Sequence, residues 1–140
     1  MVYESGAQNP NSLQNQRKAA KMYEQIRKRR TDFINVARNT NLSVEQCKII
    51  KDYAFVNKHI LKEGYMAFYP DFAMASSWFR LAEHNGNNIK RHDVIMLYHE
   101  LYEIKLLIDN ATMSQSEAHR QAEKKYNYAH ACREYYSSLM

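Results

Sequence analysis

A chain of 140 residues with 45% hydrophobic and 25% charged residues has the size and composition of one soluble globular domain. Three glycines and two prolines are too few for a sheet with many turns, and they favour long helices. No apolar run approaches the roughly 18 residues that a membrane-spanning helix needs, and no segment has the form of a signal peptide. Cys47 and Cys132 are too widely separated for a metal-binding pair and too few for a disulfide framework.

The net charge of +5 is concentrated in one short segment of the chain. Between residues 17 and 30, seven basic residues stand against a single acidic residue, Glu24. Such a segment is typical of a surface that binds phosphate groups or another acidic partner, and equally of a solvated helix face that keeps a protein soluble. Its members are Arg17, Lys18, Lys21, Arg27, Lys28, Arg29 and Arg30.

The first eleven residues differ in composition from the rest of the chain. They are polar and include Gly6 and Pro10. We therefore expect residues 1–11 to form a leader or linker, followed by a single helical domain at residues 12–140.

Helical periodicity dominates the first half of this domain. Apolar residues at steps of three and four predict a helix over 13–39, capped by Ser12 and broken near Thr31-Asp32. A second predicted helix, over 44–61, opens with Ser43 and with Gln46 three residues later. This pair is the pattern of a capping box, in which two side chains satisfy backbone N–H groups.

The second half is also predicted to be helical. Gly64 is expected to end a helix, Asp71 to cap the next one, and residues 85–88 to form a turn. Ser114 and Glu117 form the pattern of another capping box. No segment alternates polar and apolar residues long enough to indicate a sheet, so the predicted fold class is all-α, a compact bundle of five to six helices. The predicted helices of this half span residues 72–84, 90–109 and 114–137.

The helix predicted at 90–109 carries five titratable groups on an otherwise apolar surface. At 100° per residue, His92, His99 and Glu103 fall within a narrow arc, and Asp93 and Glu100 lie beside it. A helix that is apolar around most of its circumference is usually central, so the polar strip is expected to face a cleft. Histidines beside carboxylates suit acid–base chemistry near neutral pH. A structural hydrogen-bond network or an ordinary wet face is the alternative interpretation.

These groups support the hypothesis of phosphodiester cleavage. Two histidines would exchange protons, two glutamates would orient them, and an arginine would stabilise the charge that develops on phosphate. The hypothesis requires no cofactor and no metal. The proposed catalytic residues are His92, His99, Glu100, Glu103 and Arg80. The proposed nucleic-acid-binding residues are Arg17, Lys21, Arg27, Lys28, Arg29, Arg30 and Lys51.

A metal-dependent hydrolase is an alternative hypothesis. The stretch HELYE, residues 99–103, resembles the zinc-protease helix HExxH, with Glu103 in place of the second histidine. Zinc accepts glutamate as a ligand, and His92, His99 and Glu103 share one helix face. His119 is a further histidine that such a site could use.

Four motifs spread over nearly the whole chain form a recognisable pattern. They are Ser5-Gly6, Phe68-x-Pro70-Asp71-Phe72 leading into MASSWFRL, IKRHDVIMLYHELYE, and SEAHRQAEKKYNYA. Together they resemble a domain found at the C-termini of phage head-morphogenesis-like proteins and of large bacterial polymorphic, contact-dependent toxins. The matching positions are Asp71, Ser77, Trp78, Arg80, His92, Asp93, His99, Glu100, Glu103, His119, Tyr126, Asn127 and Tyr128.

The resemblance implies a small toxin module that is carried by a larger delivery protein and neutralised by a cognate immunity protein. It implies secretion or delivery as part of that protein and action in the bacterial cytoplasm, where many such modules are nucleases that attack RNA or DNA. Cleavage of RNA is the first hypothesis, and DNA is the alternative substrate. A non-catalytic helical module of phage origin, which binds nucleic acid or a partner, is the other alternative. The residues expected to support the site are Asp71, Trp78, Asp93, His119, Tyr126 and Tyr128.

Overall fold

The computed structural model describes residues 10–139, so residues 1–9 of the predicted leader lie outside the described part of the chain. The described residues form seven α-helices, a π-helical segment and a two-stranded hairpin, which confirms the all-α fold class with more helices than predicted. The elements are α1 Leu13–Lys28, α2 Asp32–Asn39, α3 Val44–Lys51, the π-helical segment Asp52–Val56, β1 Lys58–Leu61, β2 Gly64–Ala67, α4 Phe72–Leu81, α5 Arg91–Asp109, α6 Gln115–Lys125 and α7 Tyr128–Ser138.

The predicted helix starts are confirmed by their capping bonds. The side chains of Ser12, Ser43, Asp71 and Ser114 each accept a hydrogen bond from the backbone N–H three residues later. At Ser43 the capping box is complete, because the Gln46 side chain accepts from the Ser43 N–H at 2.9 Å. These bonds satisfy N–H groups that a helix leaves unpaired at its first turn.

The prediction of a helix continuing to Leu61 is wrong. The α-helix ends at Lys51 and loosens into a π-helical turn, in which the Asn57 N–H donates to the Asp52 carbonyl oxygen at 2.7 Å. An antiparallel hairpin follows, pairing β1 with β2. Gly64 begins β2 rather than ending a helix, and its φ of 134° is one that residues with a β-carbon rarely adopt.

The predicted last helix is two helices. Its first part, α6, ends where the Tyr126 N–H donates to the Ala122 carbonyl oxygen. Asn127 then caps α7 by accepting a hydrogen bond from the His130 N–H at 2.9 Å. The break changes the direction of the chain, so that both α6 and α7 pack against α5.

The core surrounds α5, which packs against α3, α4, α6 and α7. Its largest fully buried side chains include Trp78, Tyr23, Phe55, Met96 and Leu97. None of the helices in the described range, residues 10–139, is both long enough and apolar enough to cross a membrane. The central position of α5 forces its polar strip to find partners inside the protein.

Candidate functional site

The polar strip on α5 is buried and divides into two separate clusters. All five predicted groups, His92, Asp93, His99, Glu100 and Glu103, are at most 5% exposed. The first two lie near the start of the helix and contact α4 and α7. The other three lie two turns further along and face α6.

The first group, here the Arg80 cluster, consists of Arg80, His92 and Asp93. Arg80 reaches from α4 and binds Asp93 through two contacts, Nε to Oδ2 at 2.8 Å and Nη2 to Oδ1 at 2.7 Å. Asp93 Oδ2 also accepts from the Lys90 N–H at 2.8 Å and so caps α5. A forked arginine–carboxylate pair of this kind is strong and directional.

His92 completes the Arg80 cluster as a neutral imidazole. Its Nε2 lies 3.1 Å from Arg80 Nη2, and a guanidinium only donates, so Nε2 is the acceptor. Burial lowers the pKa of His92, and the positive charges of Arg80 and Lys90 act in the same direction, against Asp93. The ring packs 4.7 Å from that of Tyr135 on α7. The cluster thus ties three helices together with each charge matched.

The second group, here the cavity cluster, consists of His99, Glu100 and Glu103 from α5 and His119 and Glu123 from α6. Three of its atoms form a nearly equilateral triangle. His99 Nε2 lies 3.2 Å from Glu103 Oε1 and 3.2 Å from His119 Nδ1. The third side, from His119 Nδ1 to Glu103 Oε1, measures 3.0 Å.

The groups around the triangle orient its members. His99 Nδ1 lies 3.1 Å from the Tyr126 carbonyl oxygen, which can only accept, so this nitrogen carries the hydrogen. The other oxygen of Glu103 accepts from the hydroxyl of Tyr53 and, at 3.2 Å, from Gln115 Nε2. Tyr53 belongs to the π-helical segment, and such turns often occur at functional sites.

Two further carboxylates make the cavity cluster strongly acidic. Glu100 Oε2 lies 3.6 Å from His99 Nε2, and Glu123 Oε1 lies 3.4 Å from His99 Nδ1. Burial raises the pKa of Glu100, and the charges of Glu103 and Glu123 raise it further.

The pKa values of Glu103 and His119 move in opposite directions. Burial alone would raise the pKa of Glu103, but hydrogen bonds from His119, Tyr53 and Gln115, together with the contact to His99, lower it to about 2. The hydrogen bond to Glu103 raises the pKa of His119, against the effect of its burial. A proton shared at the triangle is therefore held mainly on the imidazole side.

The cavity cluster lies at the wall of a cavity of about 170 Å³. His99 and Glu103 are buried, whereas 53% of the His119 side chain is exposed, so His119 marks the opening to solvent. No described residue that lines the cavity is a lysine or an arginine. Its other lining residues include Tyr23 of α1, Phe68, Asp71, Met74, Met96 and Tyr128.

The remaining predicted residues lie in three places. Asp71 and Tyr128 line the cavity, and Tyr126 supplies the carbonyl that binds His99. Lys51 does not lie on the basic surface. It is buried, and its ammonium binds Asp32 at 2.6 Å. Trp78 also lies in the core and donates to Asp32 Oδ2 at 2.8 Å. The predicted basic residues that are exposed are Arg17, Lys21, Arg27, Lys28, Arg29 and Arg30.

Three residues of the site were not predicted from the sequence: Tyr53, Gln115 and Glu123. Glu123 stands four residues after His119 on α6, and this spacing places both on one helix face. That signal was available in the sequence. No sequence pattern indicated Tyr53, because its position depends on the π-helical turn.

Comparisons with protein-family models, with curated proteins and with solved structures give no match to this chain. Function must therefore be inferred from the site itself. Two imidazoles, three carboxylates and an opening to solvent can hold a water molecule or a cation and move a proton.

Proposed function

We propose that the chain is a nuclease toxin module and that the cavity cluster is its reaction centre. The observation that carries this proposal is the triangle of His99 Nε2, Glu103 Oε1 and His119 Nδ1, whose sides are 3.0 to 3.2 Å. His99 and Glu103 lie on α5 and His119 lies on α6, and the His119 side chain is exposed to solvent. A reacting molecule can therefore reach a fixed set of acid–base groups.

The proposed reaction is hydrolysis of a phosphodiester bond. The triangle positions a water molecule, and Glu100, beside it in the same cavity, accepts a proton from that water. The water oxygen attacks phosphorus, the bond from phosphorus to the leaving oxygen breaks, and that oxygen takes up the proton that Glu100 accepted, which restores the Glu100 carboxylate. Tyr53 and Gln115 fix the Glu103 carboxylate throughout.

Arg80 receives a structural role in this proposal. Its guanidinium is engaged with Asp93 and His92, and it does not line the cavity. His92 does not line the cavity either, because its ring binds Arg80. In this proposal both residues stabilise α5, the helix that carries the reaction centre. Lys51 likewise joins α3 to α2 through Asp32.

The proposed substrate is RNA, held by the basic surface of α1. The exposed face of this helix carries the arginines and lysines, and its buried face places Tyr23 in the cavity wall. A phosphate backbone bound to that exposed face would be separated from the cavity wall by the diameter of α1, about 10 Å. The delivery protein, the immunity protein and the bacterial cytoplasm as site of action are what the motif resemblance implies, and DNA is the alternative substrate.

The test is an electrophoretic assay of total RNA and DNA from cells in which the chain is induced. We expect RNA fragments with the wild type and with His130→Ala, which removes an exposed histidine outside the cavity. We expect intact RNA with His99→Ala and His119→Ala at equal protein levels. Intact RNA and DNA with the wild type would contradict the nuclease proposal and favour a module that binds without cleavage.

A further inference from the structure

We infer that His99 Nε2, Glu103 Oε1 and His119 Nδ1 form a binding site for one Zn²⁺ ion. This inference deepens the proposed hydrolase by naming a cofactor at the same centre, and it rests on that proposal only for its catalytic role. A tetrahedral zinc ion with bonds of about 2.0 to 2.1 Å separates its ligand atoms by about 3.3 Å. The three observed separations, 3.2, 3.2 and 3.0 Å, are close to this spacing.

The orientation of His99 supports a cation at the triangle. Because its Nδ1 donates to the Tyr126 carbonyl oxygen, the neutral ring presents a lone pair at Nε2. That lone pair faces Glu103 Oε1 at 3.2 Å and Glu100 Oε2 at 3.6 Å, and both are oxygens of carboxyl groups. Electron-pair donors converge on one point, where a cation satisfies all of them.

The charge of the cavity supports a divalent ion in particular. Glu100 and Glu103 are buried beside His99, and the more exposed carboxylates of Glu123 and Asp71 border the same cavity. Among the described lining residues there is no lysine or arginine to balance them. Buried charges are normally paired or coordinate a metal, and a doubly charged ion supplies the missing positive charge.

The partners of the ligands match those of known metal sites in kind. A histidine that binds a metal usually donates its other N–H to a carbonyl or carboxylate, as His99 does to Tyr126. A ligating carboxylate is usually hydrogen-bonded in turn, as Glu103 is by Tyr53 and Gln115. His119, which is half exposed, provides the path of entry that a site needs.

The chemistry of the three donor atoms favours zinc. Compared with the ligands considered from the sequence, His119 takes the place of His92. Two imidazoles and one carboxylate favour zinc over magnesium or calcium, which prefer oxygen ligands. Three protein ligands leave a fourth position for water, and zinc in such a site activates that water for attack. His92 is not a ligand, because its Nε2 accepts a hydrogen bond from Arg80 at the other end of the strip.

The test is zinc binding by the purified 140-residue chain after removal of metals with a chelator. We expect one zinc ion per chain by competition with a chromophoric chelator, and a Co²⁺ complex with the intense visible absorption of tetrahedral coordination. His119→Ala should lose more than about 100-fold in affinity, since loss of an outer partner alone typically costs 10 to 100-fold. His130→Ala should bind like the wild type.

The measurements of zinc binding and of RNA cleavage distinguish a failure of the zinc site from a failure of the proposed nuclease activity. Circular dichroism will verify that His119→Ala is folded, and Glu103→Gln provides a second ligand variant of nearly the same size. Substoichiometric zinc binding, or equal affinity in the wild type and both ligand variants, would overturn the zinc site. Cleavage of RNA by chain that does not bind zinc would overturn the zinc site and leave the nuclease. Tight zinc binding without cleavage of RNA or DNA would support the zinc site and contradict the nuclease.

Discussion

The two clusters on α5 contain similar residue types and differ in how their charges are balanced. In the Arg80 cluster, one guanidinium binds one carboxylate and donates to a neutral imidazole, so the two buried charges offset each other. In the cavity cluster, three carboxyl groups surround two imidazoles, and none of the lysines or arginines between residues 10 and 139 takes part. The first arrangement is balanced within the protein, whereas we propose that a cation from outside completes the second.

This difference shows how a buried polar strip can serve stability at one end and chemistry at the other. A matched pair such as Arg80 and Asp93 holds α4 against α5 and needs no ligand. Excess acceptors at a cavity mouth lower stability unless something binds there. Substitutions in the two clusters and on the basic surface of α1 test this division.

Arg80→Ala is expected to destabilise the fold by about 3–5 kcal/mol, because it leaves Asp93 buried without its cation. Urea denaturation monitored by circular dichroism measures the change. The matched control is Lys105→Ala, which removes a cation from the exposed pair with Asp109 on the same helix and should change stability little. Equal effects of the two variants would contradict the structural role of the Arg80 cluster.

Tyr53→Phe is expected to destabilise the fold by about 1.5 kcal/mol, because Glu103 loses one hydrogen-bond donor to a charged group. The same change should weaken zinc binding by about 10- to 100-fold, since the hydroxyl orients the ligand carboxylate. Denaturation and metal titration measure the two effects. Tyr65→Phe, at an exposed position in β2, is the control. Unchanged zinc affinity in Tyr53→Phe would remove Tyr53 from the site.

His92 is expected to make the fold less stable in mild acid. Burial keeps its pKa below the ordinary value of 6.5, so at moderately acidic pH the unfolded chain binds a proton that the folded chain does not. The stability contributed by neutral His92 is therefore complete above pH 6.5 and is lost as the pH falls below it. Denaturation between about pH 8 and pH 5.5 measures the slope. His92→Gln should show a shallower loss, and an unchanged slope would contradict the prediction.

Lys21→Ala on the basic surface is expected to weaken RNA binding modestly and to leave both clusters intact. Removal of one phosphate contact should lower the salt dependence of log K by about one unit of slope. Binding of RNA to a cleavage-deficient His119→Ala background at several salt concentrations measures this slope. Lys105, an exposed lysine on α5, provides the control substitution. Equal slopes for the Lys21 and Lys105 variants would exclude Lys21 from the RNA surface.

The sequence predicted those features that depend on neighbours along the chain. The capping box at Ser43 and Gln46, the break near Thr31-Asp32 and the burial of the α5 strip all follow from local spacing. The hairpin was missed because each strand has only four residues, too few for a clear alternation. The break after Tyr126 carries no glycine or proline, and its signal was the capping residue Asn127.

The membership of the site could be predicted only in part. The helical wheel groups His92 with His99 and Glu103, because it records angle and not position along the axis. Seven residues, or two turns, separate His92 from His99, and different helices cover the two positions. The meeting of His119 with His99 depends on the path between α5 and α6, which no residue pattern within either helix determines.

The most direct measurement is a crystal structure of the chain grown with zinc, with anomalous diffraction recorded at the zinc absorption edge. We expect one strong peak within about 2.0 to 2.2 Å of His99 Nε2, Glu103 Oε1 and His119 Nδ1. We expect no peak at His92, whose Nε2 accepts from Arg80. The absence of a peak at the cavity cluster would contradict the zinc site. A peak at the Arg80 cluster instead would contradict the structural role of that cluster.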